Sequence, residues 1–307
     1  MQTEVEFRAF IKNAVAEPAA PILFLAGAGV SIGSGLPSFW TFSTHVIRCA
    51  TGYLEQDGVA ARHSVLSQNE ITLLADRLRP EVLLQVLSEE LDARLFEFYE
   101  WLDCNIPNPN HEFLARAIQA GHAVFTTNID CLIEAAYRNL FNEELRVCVT
   151  EDDYAEFLRQ EQPIDGEHLF QPGWLLKLHG SLGLRANKAE RYATIQFALN
   201  QVGQGLTPNK AKALQQCFQT TDSCFLGYSG CDHFSVQPIL RNTPSRRSVY
   251  WLWFDKDQTS PRWETDTQTF VQMQQEIEEK IAKGESYSKI AQGRGWEKLS
   301  VAEILSG

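Results

Sequence analysis

The 307-residue sequence contains no Cys-x-x-Cys pair. Its seven cysteines are Cys49, Cys104, Cys131, Cys148, Cys217, Cys224 and Cys231, and no two stand three apart. That spacing excludes the usual tetrahedral thiolate site, so no metal is expected. Unpatterned cysteines without a secretory signal fit a reducing cytoplasm. No apolar run approaches the ~20 residues that a membrane span needs; the longest, Ile22–Ala28, ends in glycines. Positive charge is scarce. Lys and Arg total 27 against 39 Asp and Glu, a net charge of −12, which argues against a nucleic-acid face. Internal repeats and low-complexity tracts are missing. So are two nucleotide signatures: Ile32 breaks a dinucleotide GxGxxG, and no Gly-Lys-Ser/Thr follows to make a P-loop.

What is present is a chain with 44% hydrophobic residues, enough for one large domain or a large and a small one. Its most informative stretch is Pro21–Phe39, PILFLAGAGVSIGSGLPSF. Ile22–Leu25 reads as a strand buried on both faces, as in a parallel sheet. Gly27, Gly29 and Gly33 follow and permit a sharp turn and close backbone approach to a ligand. A helix starting near Ser31 would aim its positive end at that ligand, which suits a diphosphate. A plain tight βα turn is the competing reading.

Three further apolar runs end in small or polar clusters. His122–Phe125 leads into Thr126-Thr-Asn-Ile-Asp130, Leu175–Leu178 into His179-Gly-Ser181, and Cys224–Leu226 into Gly227-Tyr-Ser-Gly-Cys-Asp232. Ligands of open α/β sheets sit beyond the carboxyl ends of the strands. Four such ends make one crevice from distant parts of the chain.

Elsewhere, periodicity predicts helices over Glu4–Ala16, Ile71–Phe98, Glu112–Ala120 and Asp130–Leu140, and strands over Leu145–Val149 and Val249–Phe254. Thr41–Asn69 and Glu151–Gly173 read as irregular. Between Gly183 and Thr221 lie two helical runs, Arg191–Val202 and Asn209–Gln219, and a long polar helix is expected over Thr267–Lys283. The expected fold is α/β: a Rossmann-like parallel sheet flanked by helices over residues 1–257, with a helical insert at about 183–221 and a helical tail over 258–307.

These segments together resemble the sirtuin (SIR2) family. GAGVSIGSGLPSF resembles its GAGxS…GIPxF segment, TTNID its TQNID, LKLHGS its strand-plus-His-Gly motif, and GYSGCDHFSVQP its GTS-xVxP segment. Pro107-Asn-Pro-Asn-His111 is similar to the family's helix start before the TQNID strand. The resemblance runs from about Pro21 to Phe254. Two departures stand out. The paired Cys-x-x-Cys of zinc-binding sirtuins are missing, so a helical insert takes the place of the zinc module. Ser38-Phe39-Trp40 stands where deacylating members have Asp-Phe-Arg. The remainder resembles the SIR2-like NAD-hydrolysing effectors of bacterial anti-phage defence.

The resemblance implies NAD as the substrate, with Asn128, His179 and Asp130 carrying the chemistry. Asn128 would hold a ribose hydroxyl or the attacking water, unless it only forms a turn. Asp130 would orient Asn128 or bond ribose, or serve as an N-cap. His179 would move a proton on the ribose hydroxyls, the alternative being a core histidine. Gly27, Ala28, Gly29 and Ser31 would line the pyrophosphate, and Pro37 and Phe39 would border nicotinamide, although Phe39 also suits a core. Thr127, Gly227 and Ser229 would contact the nucleotide, and Asp255 the adenine ribose; turns are the competing reading for the last three. His111 reads as a structural helix-start residue.

The expected activity is hydrolysis of NAD+ to ADP-ribose and nicotinamide, used to deplete the cellular pool. An NAD-dependent protein deacylase and a non-catalytic NAD or ADP-ribose sensor stay open. A homo-oligomer, an activating protein or a fused sensor domain is the expected partner, with no nucleic acid and no membrane. Elemental analysis of the purified protein should find no structural zinc; about one zinc per chain surviving chelation would overturn the ligand reading.

Overall fold

The computed structural model describes residues 21–37, 41–48, 66–77, 80–91, 99–160, 174–183, 188–196, 203–230, 232, 234–243, 247–253 and 262–264. The expected helices Glu4–Ala16 and Thr267–Lys283 lie outside them, as do Phe39 and Asp255. Seven strands form one sheet: β1 (Ile22–Ala26), β2 (Ala123–Thr126), β3 (Arg146–Cys148), β4 (Trp174–Lys177), β5 (Asp222–Leu226), β6 (Val249–Trp253) and β7 (Arg262–Glu264). Their order is β3-β4-β2-β1-β5-β6-β7. The first six are parallel, and β7 adds antiparallel to β6. The fold is the expected Rossmann-like α/β sheet. The antiparallel edge at 262–264 falls in a stretch expected to be a helical tail; Trp251 pairs with Glu264 and Trp253 with Arg262.

The helices are α1 (Gln68–Arg77), α2 (Pro80–Leu91), α3 (Pro109–Gln119), α4 (Leu132–Phe141), α5 (Glu151–Gln160), α6 (Lys188–Thr194), α7 (Pro208–Thr220) and α8 (Val236–Asn242). A 3-10 helix covers Ala28–Ser34. The apolar strand runs divide by parity, as a pleated sheet requires. Leu23, Leu25, Phe125, Leu176 and Phe225 point to one face, where α5, α7 and α8 supply Phe157, Phe218 and Leu240. Phe24, Val124, Leu175 and Cys224 point to the other, against Phe113 and Leu114 of α3 and Ile133 and Ala136 of α4. Both faces are covered, which explains the near-continuous apolar strands.

Glu151–Gly173 was expected to be loop-rich, but its first ten residues form α5. Glu151, Asp152 and Asp153 lie in its first turn, where carboxylates oppose the helix dipole. Tyr154, Phe157 and Leu158 form its buried face. Thr41–Asn69 was expected to be irregular, but residues 41–48 are helical and α1 starts at Gln68. Of the expected run Arg191–Val202, residues 191–194 lie in α6, which starts at Lys188 and ends at Thr194; residues 197–202 lie outside the described residues.

A third apolar cluster joins Phe42, Val46, Leu84 and Tyr99 to Ile129, Leu182 and Ile195. Helical segments from 41–102 thus pack with residues of the loops after β2 and β4. By contrast α7, expected within an insert, is a covering helix of the sheet through Ala213, Leu214, Cys217 and Phe218.

The turns after β1 and β5 lie against one another. Gly27 N–H donates to Leu226 O at 2.9 Å and Gly29 N–H to Gly227 O at 3.0 Å. A Cβ on Gly227 would stand 2.5 Å from Val30 N, and its φ is +58°. Gly227→Ala should therefore destabilise the protein by about 2 kcal/mol or more. Urea denaturation checks this, and a wild-type midpoint would show that the two turns can separate.

Candidate functional site

The strand ends are in register. Ala26 pairs with Thr126 and with Leu226, and Thr126 pairs with Lys177. Asn128 stands two residues beyond Thr126, and His179 two beyond Lys177. The motif residues therefore leave neighbouring strands at one level of the sheet. Thr126 Oγ1 donates to Ala26 O at 3.0 Å and accepts the Asn128 N–H at 3.0 Å, which fixes the start of the loop.

Ser31 was expected to line a pyrophosphate. Its side chain is instead the centre of a buried polar cluster, with only 2% of the residue exposed. Ser31 Oγ lies 2.9 Å from Asp130 Oδ2, 3.0 Å from Asn128 Nδ2 and 3.1 Å from His111 Nε2. A hydroxyl has one proton to give. It goes to the Asp130 carboxyl, so the oxygen accepts from Asn128 and from His111. Asn128 thus spends its amide nitrogen inside the cluster, and its carbonyl Oδ1 is the side-chain atom left for a ligand. Asp130 also accepts the Leu132 N–H through Oδ1 at 3.1 Å, starting α4. Burial raises its pKa, against the opposing charge of Lys177.

His111 has a larger part than a helix start. It does complete the capping box of α3: its Nδ1 accepts the Asn108 N–H at 3.1 Å, while Asn108 Oδ1 accepts the Asn110 N–H at 2.9 Å. With Nδ1 accepting, Nε2 carries the proton given to Ser31. Asn108 Nδ2 reaches Val30 O at 2.8 Å, joining the helix start to the glycine-rich turn. Only the helix-start role was legible in Pro107-Asn-Pro-Asn-His111, because the contact with Ser31 spans 80 residues.

Lys177, the last residue of β4, is fully buried. Its Nζ donates to Ile129 O at 3.4 Å, to Asp130 O and to Glu134 Oε1 at 2.8 Å. Burial alone would lower its pKa; the Glu134, Cys131 and Asp130 charges outweigh that and raise it. The ammonium ties the loop carrying Asn128 to the strand carrying His179. Lys177 lies inside the LKLHGS segment, but a lysine inside an apolar strand had no visible partner, so its role was not legible.

His179 is buried at the end of β4. Its Nε2 lies 2.8 Å from Ser235 Oγ and 3.4 Å from Asp232 Oδ2. Gly180 follows at φ +93°, and a Cβ there would stand 2.2 Å from Thr194 O. Glycine is required because the chain behind α6 crosses this point; Gln196 N–H also donates to His179 O at 3.0 Å.

Of the other residues, Gly27 and Gly29 give their N–H groups to the β5 turn, so they shape the crevice wall and offer a ligand no donor there. Ala28 is exposed, and Pro37, Thr127, Gly227 and Ser229 are half-buried, with Thr127 and Gly227 directly following β2 and β5. Among the described residues no group of His, Cys, Asp and Glu is arranged to hold a metal. No helix of these residues is long and apolar enough to cross a membrane.

Residues 122–272 match the SIR2-like domain family. The match starts just ahead of β2, so the glycine-rich turn joins it through the sheet register. A search of curated proteins found no match. Similar solved structures include a Sir2 with a p53 peptide and NAD+, at 19% identity over 78% of this chain and 79% of that one, with a TM-score of 0.32. Others are Sir2Tm bound to a propionylated peptide, at 18% identity over 76% and 78% with TM-score 0.30, and Sir2 bound to an acetylated peptide, at 18% over 75% and 77% with TM-score 0.31. Likeness at that level adds nothing to the fold read from the strands themselves.

The neutral state of His111 has a measurable consequence. Burial pushes its pKa down to about 4. A second proton would also set Nδ1–H against the Asn108 N–H. The unfolded chain, with a value near 6.5, takes up that proton first. Stability from this group is therefore complete above pH ~6.5 and falls toward pH ~4, by about 3 kcal/mol. Asp130, shifted upward, acts in the opposite sense, so the comparison needed is wild type against His111→Asn. The acid slope between those pH values should be shallower in the variant; identical slopes would show that His111 does not titrate there.

Proposed function

We propose that this chain, with its SIR2-like domain over residues 122–272, is an NAD+ glycohydrolase that releases nicotinamide and ADP-ribose. The observation that carries the reading is the Asn128 amide, whose nitrogen is held by Ser31 so that Oδ1 is left for a ligand, in a loop at the same sheet level as His179.

The glycosidic bond of NAD+ breaks through a transition state with positive charge on the ribose carbon. Nicotinamide leaves with the bonding electrons and needs no strong acid. The protein has to hold the ribose, favour that charge and keep a water on the opposite face. Asn128 Oδ1 accepts a hydrogen bond from the water or a ribose hydroxyl. Asp130 acts through Ser31 by fixing that amide. His179 accepts a ribose hydroxyl proton, the electron pair staying on the oxygen. Water adds to the ribose carbon and loses a proton to solvent, and His179 returns the one it took to the ribose hydroxyl, so hydrolysis releases nicotinamide, ADP-ribose and one proton. Ala28, Thr127, Gly227, Ser229 and Asp255 are assigned to the dinucleotide, and Pro37 and Phe39 to the nicotinamide side. Gly27 and Gly29 support it by shape, and Ser31 by orienting Asn128.

The sequence resemblance supports a further reading, that the reaction depletes cellular NAD+ in anti-phage defence in the cytoplasm. An enzyme with that effect needs an off state, so turnover is gated by self-assembly, an activating protein or a fused sensor domain.

Asn128→Ala should abolish NAD+ consumption while circular dichroism stays native. His179→Ala should lower turnover ~10²–10⁴-fold with NAD+ affinity by calorimetry little changed. Wild-type turnover in folded Asn128→Ala removes that residue from the mechanism. Parallel reactions with an acetyl-lysine peptide separate the activities: a deacylase gives O-acetyl-ADP-ribose only with peptide, whereas a hydrolase gives ADP-ribose without it. Binding without turnover, under every assembly condition, would identify a sensor.

A further inference from the structure

We propose that Asp232 and Ser235, in the loop after β5, are positioning residues for His179: Ser235 selects the tautomer of the ring, and Asp232 holds Ser235 and faces the charge the ring acquires. This rests on the reading of His179 as the group that accepts a ribose proton.

Hydrogen-bond polarity assigns the protons. Ser235 Oγ lies 2.7 Å from Asp232 Oδ1 and 2.6 Å from Oδ2. An ionised carboxylate only accepts, so the single hydroxyl proton of Ser235 goes to Asp232. The same oxygen is 2.8 Å from His179 Nε2 and can only accept there. Nε2 therefore carries hydrogen, and the neutral ring has its lone pair on Nδ1. A proton taken from a ligand goes to Nδ1. The imidazolium so formed has Nε2 3.4 Å from Asp232 Oδ2, in a site where the two side chains are 8% and 16% exposed. At that burial an opposite charge is worth far more than at the surface.

Asp232 is fixed by its backbone surroundings. It accepts the Ser235 N–H at 3.0 Å through Oδ1 and the Val236 N–H at 3.3 Å through Oδ2. These bonds and the His179 contact hold its pKa at about 2, against the upward push of burial. The carboxylate is thus ionised whenever the ring works.

A helix-start role alone is the rival, because Asp232 accepts N–H groups at the beginning of α8. A cap would need Asp232 but not a Ser235 hydroxyl turned toward His179. Rings and caps also answer differently to experiment.

The test uses the full chain labelled with nitrogen-15 histidine, the His179 signals being identified by their loss in His179→Gln. NAD+ turnover is measured beside the spectra. Wild type should show the Nε2–H tautomer. Ser235→Ala and Asp232→Asn should shift the ring toward a tautomer mixture and lower kcat about tenfold or more, with KM for NAD+ within about twofold. Ser235→Thr, which keeps the hydroxyl, should retain tautomer and kcat. A wild-type ring protonated at Nδ1 overturns the proposal. So does Ser235→Ala with unchanged spectrum and kcat, or Asp232→Asn with lowered stability and an unchanged ring. If wild type consumes no NAD+, the hydrolase reading fails, and the tautomer comparison still decides whether these two residues position His179.

Discussion

A buried ammonium holds the two functional strand ends together. Lys177 is the last residue of β4, and its Nζ bonds carbonyls of the loop after β2 and the Glu134 carboxylate of α4. Burying such a charge is costly unless it is paired and hydrogen-bonded. That cost makes the arrangement specific, because Lys177 finds its partners only when the Asn128 loop closes over β4. Register does the rest: with Thr126 opposite Lys177, Asn128 and His179 emerge side by side. The neighbouring pair of ends, after β1 and β5, is joined by backbone bonds between glycine turns that admit no side chain. The strand ends are thus joined by two seams of different chemistry.

Within it, two serines act by the same limitation. Each hydroxyl has one proton and gives it to a buried carboxylate: Ser31 to Asp130, Ser235 to Asp232. Each oxygen must then accept from the neighbouring functional side chain. In this way two carboxylates, through the serines, fix the Asn128 amide and the His179 ring, the orientations on which the proposed reaction depends. A half-satisfied version of either network would leave a buried polar atom unpaired, so the orientations are strongly held.

Much of this frame was legible because buried parallel strands are conspicuous. Ile22–Leu25, His122–Phe125, Leu175–Leu178 and Cys224–Leu226 all fall on strands to within a residue or two, and each polar cluster lies at a strand end. Local signals that were present but outweighed by composition account for α5, where Thr150 and Asp153 cap each other's backbone at the start of an acidic helix. The helical segments of 41–102 were harder. Phe42, Val46 and Tyr99 are buried in one cluster with Ile129, Leu182 and Ile195, and no local period announces partners that distant. The same holds for the site. Asn128 and His179 were singled out by the motifs they stand in, whereas His111, Lys177 and Ser235, though inside similar segments, acquire their roles from contacts across 80, 47 and 56 residues.

The two histidines show how one side chain serves opposite ends. His111 has backbone N–H at one nitrogen and a serine already committed to Asp130 at the other. A second proton would break the capping bond, so the ring stays a neutral donor, and its place far from solvent reinforces that. His179 has the same kind of serine at Nε2, but a carboxylate within 3.4 Å of that nitrogen. Charge on this ring meets an anion already held by two backbone N–H groups. A proton gained by His179 at Nδ1 leaves its Nε2 bond to Ser235 in place and sets the new charge beside Asp232, which suits the proton-accepting role proposed for it, whereas a second proton on His111 would break the Asn108 bond.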